Sequence, residues 1–256
     1  MLLAIFLSFI WAIFLFFVFV ITVDFFVAGK WYSGNVTDHF DGKHFWNIGW
    51  TKHESYRVES PHGNYGKLRA FFKWVLHRKK PKWEKREIEK RIPEIINETE
   101  DFHITFIWHA TVLIQVWGLN IITDPVWSYR TSPFKYIGPH RFTEMGVDFD
   151  QLPPIDVVLL SHNHYDHMDI ATLEKLRDRD NPIIYTGLGN SAYLEKYWIT
   201  NVHDMEWWDE EIWKKSGIAD LTITFVPAQH FSARGLKDRN KTLWWGFVIE
   251  IHGKTL

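Results

Sequence analysis

No cysteine occurs in the 256-residue sequence. That absence excludes a disulfide framework and any thiolate metal site, and it leaves the redox compartment open. Any metal must be held by histidine nitrogen and carboxylate oxygen. An excess of one charge is also lacking. With 29 Lys and Arg against 31 Asp and Glu, nothing global argues for a nucleic-acid partner. Charge is missing altogether from residues 1–23, which are almost wholly Leu, Ile, Phe, Val, Ala and Trp. As a helix rising about 1.5 Å per residue, they would span roughly 35 Å, enough to cross a bilayer core. No Lys or Arg precedes the run, and Phe25-Phe26-Val27-Ala28-Gly29 makes a poor cleavage site. The run therefore reads as a retained anchor rather than a signal peptide. Lys30 lies on its carboxyl side with no basic residue on the other, which favours a single-pass membrane protein whose following domain is cytoplasmic. The 15 Trp and 20 Phe suit both a large core and a membrane interface.

The densest chemical signal is Ser161-His162-Asn163-His164-Tyr165-Asp166-His167-Met168-Asp169, with three histidines and a carboxylate in six positions. It follows the apolar run 157–160, which reads as a buried strand. Imidazole and carboxylate are the usual nitrogen and oxygen ligands of zinc. His162 and His164 share a face of an extended segment. Asp166 and His167 follow the turn and can address a second metal a few ångströms away. His230, just past an alternating strand over 221–226, is the candidate third ligand of the first metal. The candidate metal ligands are thus His162, His164, Asp166, His167 and His230. Asp124 ends a strand at the same sheet edge and can orient a ligand histidine.

The surrounding residues carry a resemblance. They include Thr123-Asp124-Pro125-Val126-Trp127-Ser128, Ser132-Pro133, Gly138-Pro139-His140-Arg141-Phe142, Leu152-Pro153-Pro154-Ile155-Asp156 and Pro227-Ala228-Gln229-His230. With the histidine motif, they resemble the N-acylphosphatidylethanolamine-hydrolysing phospholipase D family of the metallo-β-lactamase fold. The resemblance implies an αββα sandwich with two Zn2+ ions, hydrolysing a phosphodiester of a membrane phospholipid to phosphatidic acid and an N-acylethanolamine. It implies a substrate contact for Tyr165, for which packing beside the metals is the alternative. It gives Asp166 a role in catalysis as a ligand that can also handle a proton. The family has Gly where Trp108 stands before His109, and His109 is expected to be a structural neighbour of the metals rather than a ligand. The family's bridging Asp and final His have no counterpart here. The reading is thus of a hydrolase domain incomplete at its carboxyl end, with one zinc held by His162, His164 and His230 if the second site lacks ligands. The competing readings are a lactone or sugar-phosphate hydrolase of the same fold and a non-catalytic metal-binding fragment.

The expected organisation is an anchor at 1–23, a loop and basic amphipathic linker at 24–101, and the hydrolase domain at 102–256. Residues 67–91 hold eleven Lys and Arg against three Glu around an aromatic stripe. Such a helix can lie on anionic lipid or pack on the domain with a solvated basic face. His39, His44 and His53 read as surface residues. Strands are expected at 103–107, 111–117, 120–123, 157–160, 182–186, 202–207, 221–226 and 243–251, with helices at 170–179 and 191–198.

Overall fold

The computed structural model describes residues 2–28, 32–50, 73, 77, 84, 87–93, 101–215, 217 and 220–256. Most of the basic segment at 67–91, and His53, lie outside the described residues. Helix α1 (Leu2–Val27) is long and apolar enough over Phe6–Val27 to cross a membrane, and its most apolar stretch is not buried in the protein.

Two sheets follow. In the first, β1 (His103–Trp108), β2 (Thr111–Val116) and β3 (Leu119–Thr123) form an antiparallel meander. β4 (Val157–Leu159), β5 (Ile183–Gly187) and β6 (Val202–Met205) then add in parallel, in the order β1-β2-β3-β4-β5-β6. The turn between β2 and β3 places Trp117 and Gly118 at φ 50° and 72°. Two successive left-handed residues match the twist of a tight hairpin, and glycine takes that conformation without strain. In the second sheet β7 (Glu210–Trp213), β8 (Leu221–Val226), β9 (Gly246–Ile251) and β10 (Lys254–Thr255) are antiparallel, in the order β10-β9-β8-β7.

Strand alternation explains the layering. Ile114, Val116, Ile121, Val157, Leu159 and Tyr185 point to one side of the first sheet, where they meet Leu221, Ile223, Phe225, Ile249 and Ile251 of the second. Leu113, Ile122, Val158 and Ile184 point to the other side. There they meet Leu173 and Leu176 of α2 (Ile170–Arg179), and Tyr193 and Leu194 of α3 (Ser191–Leu194). Successive strand side chains face opposite ways, so a sheet buried on both sides needs the uninterrupted apolar run seen at β4. This is the metallo-β-lactamase fold expected from the sequence.

Most expected elements stand within two residues of their place; a helix and two strands differ in extent, and one strand was not expected. The helix expected at 191–198 is α3 followed by a 3-10 turn over Glu195–Tyr197. The strand expected at 202–207 ends at Met205. β9 begins only at Gly246, because Leu243, Trp244 and Trp245 leave the ladder to fill the space between the sheets. β7 was not expected, since Glu210-Glu211-Ile212-Trp213 carries no clear alternation. A larger correction concerns residues 32–50. They are irregular, bridged only at Phe40 and Phe45, yet both phenylalanines are fully buried in the inter-sheet core. His39 is not a surface residue: it is 8% exposed, stacks on Trp207 at 4.3 Å and bonds Glu206 at 2.9 Å. Burial lowers its pKa, but the bonds to Glu206 and Asp38 outweigh burial and raise it on balance.

This segment belongs to the folded domain and should contribute to its stability. Phe45→Ala removes a fully buried ring and should cost about 3–5 kcal/mol of unfolding free energy by chemical denaturation. A loss under about 1 kcal/mol would mean that the segment is not docked.

Candidate metal centre

The site forms where carboxyl-terminal strand ends converge, the place where open α/β sheets leave a crevice. β3 runs into Asp124, β4 into the histidine motif, and β8 into Pro227-Ala228-Gln229-His230. Asp124 sits at φ 36°, and its N–H donates to the Leu159 carbonyl at 3.0 Å. That turn throws its carboxylate across to the β4 end. There it accepts the Ser161 N–H and O–H, both at 2.7 Å.

Two groups of donors result. His162, His164 and His230 form one; His109, Asp166 and His167 form the other. Within each, the ligand atoms all lie within 4.8 Å of one another. In the first, Nε2 of His162 is 2.8 Å from Nδ1 of His164 and 3.0 Å from Nε2 of His230. In the second, Nε2 of His109 is 3.3 Å from Asp166 Oδ2. The groups adjoin, with the rings of His162 and His167 4.1 Å apart. All five sequence-derived ligand candidates are brought together. His109, expected to stand outside the ligand set, lies within the second group. It reaches there from a left-handed turn between β1 and β2, at φ 50°.

The electrostatics suit cation binding. Burial, reinforced by His167 and His164, drives the His162 pKa far below its usual value. Burial and His230 push His164 down to about 4, and burial with His167 lowers His230. All three rings are therefore neutral near pH 7, the state a metal ligand requires. Burial pulls His167 down as well, but the 2.8 Å bond from its Nδ1 to Asp124 outweighs burial and raises its pKa. The carboxylate fixes the proton on Nδ1 and leaves Nε2 toward Asp166. Imidazole nitrogens crowded about 3 Å apart, with a carboxylate beside them, form a donor set that fits zinc.

Other residues hold the donors in place. Asp169 accepts the Ser128 N–H and O–H at 2.9 and 2.8 Å, the Trp127 N–H at 3.2 Å and the Thr172 hydroxyl at 2.6 Å. It thereby pins the loop after β3 to the start of α2, which accounts for both aspartates of the two motifs. Arg234 is 9% exposed. Its guanidinium donates to the carbonyls of Asn163 and Met168, each at 2.9 Å, and to the Tyr193 hydroxyl at 3.0 Å. Tyr165 lies beneath it at 4.1 Å and donates its hydroxyl to the Arg234 carbonyl at 3.1 Å. Burial pushes the Tyr165 pKa up, so its phenol stays protonated. Asn47, from the irregular amino-terminal segment, grips His230 through both backbone groups: Nδ2 donates to its carbonyl at 3.1 Å, and Oδ1 accepts its N–H at 2.9 Å. Sequence reasoning did not find Asn47 or Arg234, because a lone amide in a loop and a lone arginine carry no pattern.

The beta-lactamase superfamily domain matches residues 119–256, more than half of the chain, and the chain belongs to that family. The fold and the two donor groups define a metal-dependent hydrolase domain. More particularly, the chain is 32% identical over 199 residues to N-acyl-phosphatidylethanolamine-hydrolyzing phospholipase D 1 of Caenorhabditis elegans, covering 71% of this chain and 55% of that protein. It is 32% identical over 173 residues to the mitochondrial N-acyl-phosphatidylethanolamine-hydrolyzing phospholipase D of Saccharomyces cerevisiae (66% and 36%). It is 38% identical over 152 residues to an uncharacterised protein of Mycobacterium tuberculosis (58% and 40%). The chain spans about half the length of these relatives, or less.

Asn47 offers a test of this arrangement that leaves every ligand in place. Asn47→Ala should weaken zinc binding at the three-histidine group about 10- to 100-fold, as removal of a ligand's support does. A competition titration with a chelating dye reads this directly; unchanged affinity would mean that His230 needs no such grip.

Proposed function

We propose that this chain carries the metal centre of a zinc-dependent phosphodiester hydrolase acting on membrane phospholipids, of the N-acyl phosphatidylethanolamine phospholipase D type. The observation that carries the reading is the pairing of two adjoining donor groups, His162, His164 and His230 beside His109, Asp166 and His167. Similarity to the two phospholipases D supports the lipid substrate. The long apolar α1 supports a membrane setting, with a single-pass anchor at 1–23, a linker region at 24–101 and the hydrolase domain at 102–256. Lys30 on the carboxyl side of the apolar run is what favours a cytoplasmic domain.

In this reading His162, His164 and His230 would hold one zinc, and His109, Asp166 and His167 would hold a second. Bound zinc supplies Lewis acidity that makes hydroxide available near neutral pH and offsets charge on the phosphoryl oxygens. The protein's own groups set the rest. Asp124 keeps His167 in one tautomer and orientation. Arg234 and Asn163 fix the loop between the donor groups, since Asn163 Oδ1 also accepts the Ala233 N–H at 2.9 Å. Asp166 is half-exposed, and in this reading it serves first as a ligand and also handles a proton during the reaction. The reaction breaks the phosphorus–oxygen bond to the ethanolamine: water contributes its oxygen to phosphorus and a proton to the departing alcohol. Tyr165, whose hydroxyl donates to the Arg234 carbonyl, is in this reading a substrate contact through its phenol oxygen, which can still accept a hydrogen bond.

The test is turnover of N-acyl phosphatidylethanolamine in mixed micelles against panels of soluble esters, lactones and sugar phosphates. Release of phosphatidic acid should dominate, and His164→Ala should reduce it to background. Turnover retained by His164→Ala, or a preference for a lactone, would contradict the assignment.

A further inference from the structure

α1 does more than extend from the domain. Its last turns are fastened to the loops that surround the metal centre. Phe19 stacks on Phe134 at 6.2 Å. The Asp24 carboxylate accepts the Leu236 N–H, and Asp24 is 7% exposed on a helix whose other faces are open. A Cβ on Gly235 would stand 2.5 Å from Asp24 Oδ1 and 3.2 Å from the Ala28 Cβ, so glycine is what permits the helix to come this close. Lys196 Nζ donates to the Ala28 carbonyl at 3.1 Å. A carboxylate on an otherwise apolar helix, satisfied by the domain's backbone, fixes one orientation of the helix against the domain.

Between helix and loops lies an apolar cavity of about 300 Å³, walled by Phe19, Val23 and Val27 on one side and Pro133, Phe134 and Leu236 on the other. A second, more polar cavity of about 240 Å³ adjoins it. Val27, Pro133 and Arg234 line both. The polar cavity also takes in Arg130, Tyr165 and Tyr197, and Tyr165 stands between His164 and Asp166 in the chain. An apolar opening at the side of a candidate membrane span thus continues into a polar chamber, lined by Arg130, Arg234 and Asp169, whose wall contains the residue between two candidate ligands. Around its mouth Leu236 is 74% exposed, and Tyr136 and Ile137 in the neighbouring loop are 79% and 69% exposed, as suits a surface that meets lipid rather than water.

We infer that the cavity between α1 and the loops at 133–134 and 234–236 receives an acyl chain of a bilayer phospholipid. The anchor helix is then one wall of the substrate site, and the lipid enters sideways from the membrane without leaving it. The inference rests on the phospholipid reading above and adds to it the place and route of the chain. Arg130 and Arg234 at the inner end offer the guanidinium charge that a phosphodiester needs as it passes toward the metals. An acyl chain fits because the lining is hydrocarbon apart from Asp24 and Arg234, and the cavity opens along a helix that itself sits among acyl chains.

The experiment is photolabelling of the full 256-residue chain in phosphatidylcholine nanodiscs containing a phosphatidylethanolamine with a diazirine near the end of one acyl chain. Labelled residues are mapped by mass spectrometry. Label should appear on Phe134 and Leu236. Val27→Trp and Phe134→Trp, which fill the cavity from opposite walls, should each lower the label on Leu236 at least tenfold. The label on the outward face of α1, at Phe9 and Phe16, should stay unchanged. Wild-type zinc content in both variants excludes misfolding as the cause. No label on Phe134 and Leu236 in the wild type, or equal label on Leu236 in wild type and both folded variants, would overturn the inference. Because the readout is binding, a failure here is distinct from a failure of phospholipid hydrolysis, which alone would count against the enzymatic reading.

Discussion

Three neutral imidazoles packed with their nitrogens about 3 Å apart are the constraint on which the rest of this structure depends. Such crowding has no benefit in a protein core. Lone pairs that face one another in a desolvated place cost free energy unless protons or a cation lie between them. Burial and the neighbouring rings disfavour protonation here, since His162 and His164 both titrate well below the ordinary imidazole value. A metal ion is what resolves the conflict. The fold can bear the local cost because the donors stand at strand ends whose own ladders and core contacts are complete.

The supports come from segments far apart in sequence, and each solves a different mechanical problem. Asp124 turns out of β3 to set the tautomer of His167 and the backbone of Ser161. Arg234 reaches under the motif and holds its carbonyls, so the loop carrying four donors cannot relax away from them. Asn47 secures His230 by the backbone, which leaves the imidazole free. Phe40 and Phe45 bury themselves between the sheets, and Trp244 Nε1 donates to Asn47 at 3.0 Å. The aromatic core and the metal centre are thus tied together at Asn47.

What could be read from sequence was whatever has a short period or a dense motif. β4, β8 and α2 stood where their apolar spacing placed them, and the histidine motif announced its chemistry. Asp124 was read as a residue that orients a ligand histidine, and it stands 2.8 Å from His167 Nδ1. Asp169 was noticed only as a motif residue, and the structure shows it tying the loop after β3 to the start of α2. The segment 32–50 escaped because it buries isolated aromatic side chains from irregular backbone, which leaves no periodicity. His39 was misplaced for the same reason. β7 escaped because two glutamates open it. His109 was set aside because Trp108 precedes it; the left-handed turn that carries it toward Asp166 is a property of backbone that residue type does not reveal.

The central claim is that this chain builds two adjoining metal sites, one from three histidines and one from His109, Asp166 and His167. The most direct test is metal stoichiometry of the purified chain by elemental analysis after exchange into metal-free buffer, alongside His230→Ala and His109→Ala. The account predicts two zinc ions per chain, with each substitution releasing one. A folded chain that retains no zinc, or that keeps its full complement in both variants, would contradict it.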